Sequence, residues 1–491
     1  MFYVNNEYNG SISVGGAASV LPSGRDTVLP TPFFDVQQKA REIRARYDAA
    51  VTSPENERHW RMADPFSPDA ALNPVVRKKI RERARYEIAN NTYAKGLILT
   101  FAGDIVGTGP RIQLFGAPST RWENRIEAAF IEWADETGLA EKLTTLAQAK
   151  TGDGEAFGIM VFNPKLESPV KFEIVPVECD RICASFEMIS RPNNIDGVII
   201  DSLGNPVAYE CMESHPGDTN TATLTQWDRI DARWVVHWFR KDRPEQHRGV
   251  SEIAPALPLF AQLRRYTLAT IAAAETASDY AAILYTDNPA TQTAVKAVPF
   301  EMVDIAKRTM TVLPDGWKMG QFSPEQPVTT YAEFKREVLG EIARCLQVPI
   351  NVISGDSSRH NYASGRLDHQ TYHRAIRVCQ SQCAKVILNK VFREWIKEYT
   401  LALGLPAGKF DGLKPGWMFD GFEHVDPQKE ANAQALRLAS MTTSYAAEYA
   451  KQGKDWEVEF EQIAKERQRL KELGLDIAEV PVNQQEREDE R

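Results

Sequence analysis

Two stretches of helical periodicity separated by a polar segment stand out between Thr330 and Leu403. The first opens with capping-box spacing at Thr330 and Glu333. Its apolar positions then recur at helical intervals, at Phe334, Val338, Ile342 and Leu346. Because proline disfavours helical backbone in the residue before it, this helix is predicted to end at Val348 and Pro349.

The polar segment covers residues 354–361, and a second periodic stretch, residues 364–403, follows it. Its apolar positions recur at helical steps of three or four residues, at Tyr372, Ile376, Cys379, Cys383, Ile387, Val391, Trp395 and Tyr399. At 1.5 Å per residue, this helix would be about 60 Å long. An ordinary globular core does not need a helix of that length, whereas a radial strut in a large ring does.

Three short motifs around these helices resemble the lambda-type family of phage portal proteins. They are Ile-Ala-Arg-Cys-Leu-Gln-Val-Pro at 342–349, Asn-Tyr-Ala-Ser at 361–364 and Asp-Pro-Gln-Lys-Glu at 426–430. The resemblance is strongest in the run at 241–251 and covers nearly everything from 60 to 475. It implies an α+β, mostly helical fold with an α/β wing, a two-helix stem, a small α/β clip, a long wing helix and a helical crown.

The order of elements along the chain is the order expected for that family. The boundaries this implies are 1–57 for an N-terminal arm, 58–254 for the first part of the wing, 255–280 for a stem helix, 281–328 for the clip, 329–346 for the second stem helix, 347–365 for a tunnel loop, 366–425 for the long wing helix and closing segment, and 426–491 for the crown and a disordered tail. Periodicity and caps also predict crown helices at 427–440, 444–451 and 456–472.

Composition places the chain among ordinary soluble proteins. It has 491 residues, of which 43% are hydrophobic and 25% charged, enough for two to four domains. No window approaches the roughly 20 apolar residues of a membrane span, and the first 24 residues do not read as a signal peptide. We therefore expect no membrane association, with synthesis in the host cytoplasm. The six cysteines look like reduced core residues.

The net charge of −9 argues against a protein that grips nucleic acid, because phosphate binding needs clustered Lys and Arg. It remains compatible with a channel through which DNA slides. One helix, at residues 74–86, is rich in Arg and Lys. It could form a stripe that faces DNA or bridges subunits, or it could be a solvated helix whose charges face water.

The middle of the chain has β character. Residues 197–201 and 206–211 predict a hairpin, and residues 235–240 predict a further strand. The glycines at 151–158 run into a β-type sequence rather than a helix, so they do not indicate a phosphate cradle. His237 and His247 lie beside predicted strands, where packing or surface roles are more common than metal binding.

Two further groups of residues invite a chemical interpretation. Asp356, Ser357 and His360 are the residue types of a hydrolase triad, but no nucleophile elbow surrounds Ser357. The long helix carries residues of the types that bind zinc, at His369, His373, Cys379 and Cys383. These span about 20 Å of helix, too far for one tetrahedral ion. We expect no metal and no cofactor.

The family resemblance implies a structural subunit with no enzymatic activity. It implies a dodecameric ring at one capsid vertex of a tailed phage, located in the virion, that nucleates procapsid assembly and passes double-stranded DNA. The implied partners are the terminase large subunit, the major capsid and scaffolding proteins and the head-tail adaptor. The alternatives are a hydrolase using Ser357 and His360, or a soluble adaptor-type module that forms no ring.

Three groups of residues are expected to carry this function. Subunit contacts are assigned to Phe334, Val338 and Ile342 on the second stem helix, and docking at the clip to Trp317. The loop nearest the DNA is assigned to Ser357, Ser358, Arg359, His360 and Asn361.

Overall fold

The structure, a computed structural model, describes residues 53–185, 191–219, 226–279, 283–286, 317–320, 328–359, 361–422 and 427–475. Residues before Phe66 and those from Phe66 onward form separate units. In the first, the described residues 53–65 form turns. The N-terminal arm up to residue 52, most of the clip, His360 and the predicted disordered tail lie outside the described residues.

The second unit begins with helices and a mixed α/β region. Its elements up to residue 239 are α1 (Pro68–Ala71), α2 (Pro74–Asn90), α3 (Thr92–Val106), β1 (Arg111–Phe115), α4 (Thr120–Glu136), α5 (Leu139–Gly152), β2 (Glu155–Phe162), β3 (Phe172–Val177), β4 (Asn194–Ile195), β5 (Val198–Ile200), β6 (Pro206–Met212), β7 (Trp227–Asp231) and β8 (Val235–Phe239). The predicted hairpin is confirmed by the pairing of β5 with β6, and the predicted strand at 235–240 by β8.

The rest of the unit is mainly helical. It comprises α6 (Leu257–Asp279), β9 (Ile283–Thr286), β10 (Trp317–Gly320), α7 (Val328–Arg344), α8 (Ile350–Ser354), α9 (Tyr362–Cys383), a π segment (Ala384–Leu388), α10 (Asn389–Ala402), β11 (Lys414–Met418), α11 (Pro427–Ala439), α12 (Tyr445–Lys451) and α13 (Trp456–Glu472). The three C-terminal helices begin and end within a residue or so of the predicted positions. Strands β9 and β10 pair antiparallel inside the predicted clip.

Helix α7 differs from the prediction at both ends. It begins at Val328, two residues before the predicted start at Thr330, so the Thr330–Glu333 spacing lies inside the helix rather than at its cap. It ends at Arg344, before the predicted stop at Val348, and the chain turns through Gln347, whose φ is 58°. The predicted tunnel loop, 347–365, contains the short helix α8, so the loop proper starts at Gly355.

The predicted long helix is helical without interruption from Tyr362 to Ala402, but it contains the π segment. Its core stripe repeats every four residues, and such a stripe drifts by about 40° per step around an α-helix. A π turn is wider, with i→i+5 hydrogen bonds, and it takes up part of this drift. Cys383, Ile387, Val391 and Trp395 are accordingly all fully buried.

An aromatic cluster holds α10 against α4 and the small sheets. Phe130 contacts Trp395 at 5.1 Å between ring centroids, and Trp133 stacks on Phe172 at 5.8 Å. The Trp133 indole N–H donates to the Phe172 carbonyl oxygen at 2.8 Å. Strand β1 pairs with β11, which brings chain segments 300 residues apart into one two-stranded sheet. These packed elements carry the functional surfaces described next.

Candidate assembly surface and channel loop

Helix α6 packs into the core at its N-terminal end, and α7 packs into it at its C-terminal end. At these ends, which we call the root, α6 buries Leu257, Phe260 and Leu263, and α7 buries Leu339, Ile342 and Ala343. Further along, the two helices contact each other through Tyr266, whose ring lies 5.6 Å from that of Tyr331 and 4.9 Å from that of Phe334. We call this pair, residues 257–279 and 328–344, the projecting hairpin.

The projecting hairpin exposes large apolar side chains beyond its root. Leu268 is 61% exposed, Ile271 51% and Phe334 50%. Apolar area removed from water is worth about 25 cal/mol per Å². Side chains of this size, grouped on one element and left in water by a single chain, are typical of a surface that another chain covers.

The residues predicted to form the subunit interface lie in three different environments. Phe334 is exposed, as an interface residue would be in the single chain. Val338 is half-buried against the core of its own chain. Ile342 is 0% exposed, so it has no surface to offer a neighbour, and its assignment to the interface is corrected. The sequence interpretation missed Leu268, whose signal was its i, i+3 spacing to Ile271 on a second apolar stripe of α6.

The described residues of the predicted channel loop, 355–359 and 361, lie on the surface. Gly355 ends α8 in the left-handed conformation, with φ of 67°. The Asp356 carboxylate accepts the Ser358 N–H at 2.9 Å, and the Asn361 side chain caps α9 by accepting the Ser364 N–H at 2.8 Å. Ser357, Ser358, Arg359 and Asn361 are all exposed.

Asn351 in α8 ties the loop to the long helix. Its Nδ2 lies 3.0 Å from His369 Nε2 and 3.4 Å from Ser357 Oγ. The same amide therefore reaches both the loop and the first turns of α9. His369 is followed one turn later by His373, whose ring stacks on Phe422 with centroids 3.7 Å apart.

The geometry gives no support to the hydrolase alternative. Asp356 accepts the Ser358 backbone N–H, and Ser357 is exposed. His360 lies outside the described residues. The side chains considered for zinc have separate partners: His369 contacts Asn351, His373 stacks on Phe422, and Cys379 lies 3.9 Å from Lys150 Nζ. All six cysteines are free.

A different group, Glu178, Asp180 and His215, does bring three possible metal ligands together among the described residues. Two arginines already bind its acids. Arg81 Nη1 lies 2.9 Å from Asp180, and Arg85 Nη1 lies 2.8 Å from the same carboxylate. Guanidinium groups thus supply the positive charge that an ion would bring.

The basic side chains of α2 divide into a buried set and an exposed set, so the solvated interpretation holds for only part of the helix. Arg77 and Arg81 are 4% and 6% exposed, so they are neither solvated nor free to meet DNA. They belong to a buried set of charges that we call the ionic cluster, namely Arg77, Arg81, Glu155, Asp180, Asp196, His237 and Arg248. Lys78, Lys79 and Arg83 alone keep an outward basic face on the first three turns of the helix.

Glu155 is the centre of the ionic cluster. Arg248 grips it with two bonds, of 2.9 Å from Nε and 2.6 Å from Nη2, and the Gly249 N–H donates to it at 3.0 Å. Burial alone would raise the pKa of Glu155, but Arg248 and His237 hold it well below its usual value. Gly154 and Gly249 let the two backbones approach, since a Cβ on Gly249 would collide with the Gly154 carbonyl oxygen. The glycine motif at 151–158 therefore serves close packing.

A comparison with known protein families identifies the family of this chain. Residues 53–380 match the sequence model of the phage portal proteins of the lambda family. The chain belongs to the lambda family of phage portal proteins. This confirms the resemblance seen in the sequence motifs. Portal proteins of this family are structural rather than enzymatic.

A probable portal protein of Halomonas phage phiHAP-1 is 24% identical in an alignment of 429 residues that covers 81% of each chain. Among solved structures, the neck of an empty gene transfer agent particle computed with C6 symmetry overlaps with a TM-score of 0.47. It is 16% identical and covers 72% of this chain and 86% of its own. The neck of a native particle computed with C12 symmetry gives 0.42 at 15% identity, covering 75% and 90%. Among the described residues, no helix is both long and apolar enough to cross a bilayer.

Proposed function

We propose that this chain forms a closed ring, a dodecamer, at one capsid vertex of a tailed phage, and that double-stranded DNA passes through the ring. The observation that carries the proposal is the projecting hairpin. Leu268, Ile271 and Phe334 stand in water in the single chain of a portal family member, and a ring neighbour would cover them.

The family resemblance supports the remaining assignments. The wing, clip and crown keep the boundaries predicted from the sequence, whereas the second stem helix is taken as Val328–Arg344 and the tunnel loop as the segment between α8 and α9. The ring nucleates procapsid assembly with capsid and scaffolding proteins, docks the terminase large subunit during packaging and then binds the head-tail adaptor. It resides in the virion and is assembled in the host cytoplasm. The chain itself carries out no chemistry.

Two surfaces meet the partners in this proposal. The clip docks the motor and then the adaptor, and Trp317, at the start of β10, is the residue assigned to that contact. The loop at 355–361 faces the lumen, where Arg359 makes one weak phosphate contact per subunit. Normal motor binding by intact Trp317→Ala rings would remove Trp317 from the docking surface.

Native mass spectrometry and particle imaging of the purified full-length chain test the central proposal. The expected result is a ring for the wild type and lower-order species for Ile271→Asp, because a buried Ile contributes about 1.5–3 kcal/mol. Arg265→Ala, an exposed change on the same helix, is the matched control and should keep the ring. A wild-type protein that stays monomeric at high concentration would contradict the proposal.

A further inference from the structure

The channel loop and the C-terminal helices are connected by a continuous series of backbone and side-chain contacts. We define the C-terminal block as residues 427–475, which comprise α11, α12 and α13. Its helices hold together through Phe460, whose ring contacts those of Tyr445, Tyr449 and Trp456. Arg437 on α11 reaches Glu448 on α12 at 3.4 Å. The block can therefore move as one body.

The segment before the block is wedged against the turn between α12 and α13. A Cβ on Gly421 would collide with the Lys451 carbonyl oxygen, and a Cβ on Gly453 would lie 2.8 Å from the Phe419 carbonyl oxygen. Both contacts are backbone against backbone, so neither side can give way by rotating a side chain. A shift of this turn towards residues 419–422 must therefore displace them.

From Phe422 the contacts lead to the loop. Its ring stacks on His373 at 3.7 Å with the planes 10° apart, and His373 contacts His369 at 5.7 Å. His369 Nε2 lies 3.0 Å from Asn351 Nδ2, and Asn351 reaches Ser357 Oγ at 3.4 Å. We propose that this series couples the position of the C-terminal block to the conformation of loop residues 355–359, with Phe422 and Asn351 as positioning residues.

The coupling itself depends only on the fold, whereas its role at the DNA rests on the proposed function. If the loop faces DNA in the lumen, displacement of the C-terminal block would reach the DNA-facing loop without any ligand in between. A physical coupling requires that a change at either end alters the other end by the same factor. A coupled pair of segments therefore shows its effect at both ends, and the test measures both.

Hydrogen–deuterium exchange of the full-length protein measures both ends. Phe422→Ala should raise exchange in residues 350–359 by roughly 2- to 10-fold, the effect of losing one aromatic pair. Asn351→Ala should raise exchange in the same residues and also in α12. Because the links act in series, adding Phe422→Ala to Asn351→Ala should produce no further rise in the loop. Leu367→Ala, 65% exposed on α9, is the control and should change neither end.

Additive effects of the two substitutions, or a Phe422→Ala effect confined to residues 419–475, would overturn the coupling. If Phe422→Ala does not fold, Phe422→Leu keeps the apolar contact and removes the ring stack. A folded Phe422→Leu protein with wild-type loop exchange would also reject the coupling. Ring formation, followed separately by native mass spectrometry, tells this failure apart from failure of the proposed function.

Discussion

The ionic cluster and the projecting hairpin distribute their side chains in opposite ways. The cluster buries charge: Glu155 and Arg248 are 0% and 1% exposed. The hairpin exposes apolar side chains, with Leu268 61% exposed. Every acid of the cluster lies against an arginine of the same chain, so that region is complete in one subunit. The hairpin is incomplete by the same reasoning, because no described residue of its own chain covers its outer stripe.

The difference predicts how each region responds to change. Removing one partner of a buried ion pair leaves the other charge unpaired in a medium of low polarity, which costs more than the pair contributes. Removing an apolar side chain from an exposed stripe costs the single chain little and affects only the assembly. Substitutions in the cluster should therefore act on folding, and those on the outer stripe of the hairpin on association.

The largest effect is expected for Arg248→Met. It leaves Glu155 buried without its two hydrogen bonds, so we expect the free energy of unfolding to fall by about 3–5 kcal/mol. Urea unfolding of the purified chain measures this. Arg248→Lys keeps the charge but not the two hydrogen bonds, so its free energy of unfolding should lie between those of the wild type and Arg248→Met. Lys79→Ala, in the exposed pair with Glu82 on α2, is the control. A loss for Arg248→Met no larger than that of the control would contradict the cluster's role.

The second prediction compares two positions on the hairpin. Leu268→Asp should abolish the ring yet leave the unfolding midpoint of the single chain unchanged, since Leu268 is exposed. Val338→Asp should lower that midpoint as well, because Val338 packs against the core of its own chain. Sedimentation and thermal unfolding on the same samples separate the effects. Rings of unchanged stability in Leu268→Asp would show that the interface lies elsewhere.

The Glu127 carboxyl has no cationic partner among the described residues, unlike that of Glu155. Glu127 on α4 accepts the Leu114 N–H at 2.5 Å. Burial raises its pKa to about 7, and the carboxylates of Asp455, Glu123 and Glu457 act in the same direction. Glu155, with Arg248 beside it, has its pKa lowered instead. The charged partner, rather than the burial of the carboxyl, decides whether its pKa is raised or lowered.

The third prediction follows from the direction of this pKa shift. Because the folded-state pKa of Glu127 is raised, its contribution to stability is complete below its ordinary value of 4.5 and is lost as the pH rises to about 7. The melting temperature of Glu127→Gln relative to wild type should therefore rise between pH 5 and pH 8. Glu132→Gln, an exposed change on the same helix, is the control. A difference that stays flat across this range would remove Glu127 as its source.

The ionic cluster should respond to acid in the opposite sense. Burial lowers the pKa of His237 to about 4, although Glu155 opposes the shift. A lowered histidine pKa contributes stability that is present above 6.5 and lost as the pH falls towards 4. The lowered pKa of Glu155 adds a loss on the acid side. The two carboxyl environments thus bound the pH range of stability from both directions.

The smallest effect is expected for the double change Arg359→Ala and His360→Ala in the loop. Ring assembly should be spared, and DNA retention in filled heads should fall by up to about fivefold per contact, as for one weak exposed charge contact. The difference should shrink at high salt. Arg366→Ala, exposed on α9, is the control. Unchanged retention, or a ring structure with this loop outside the lumen, would end the assignment.

Local chemistry was sufficient to predict several elements from the sequence. Helices α11, α12 and α13 have side-chain or proline signals at their starts and were placed almost to the residue. The long helix 362–402 followed from its unbroken apolar stripe. These features depend on residues at most a few turns apart, so the chain alone determines them. The family assignment likewise came from short motifs that need no tertiary information.

The tertiary structure decided which residues on those helices are buried. Arg77 and Arg81 look like solvent-facing residues in a basic helix until Glu155 and Asp196, 70 to 120 residues later, are brought beside them. Ile342 and Leu268 are equally apolar in sequence, yet one is in the core and the other in water. Whether a helix face is buried depends on which distant segment packs against it. Helical periodicity shows that a face is apolar but not which segment covers it.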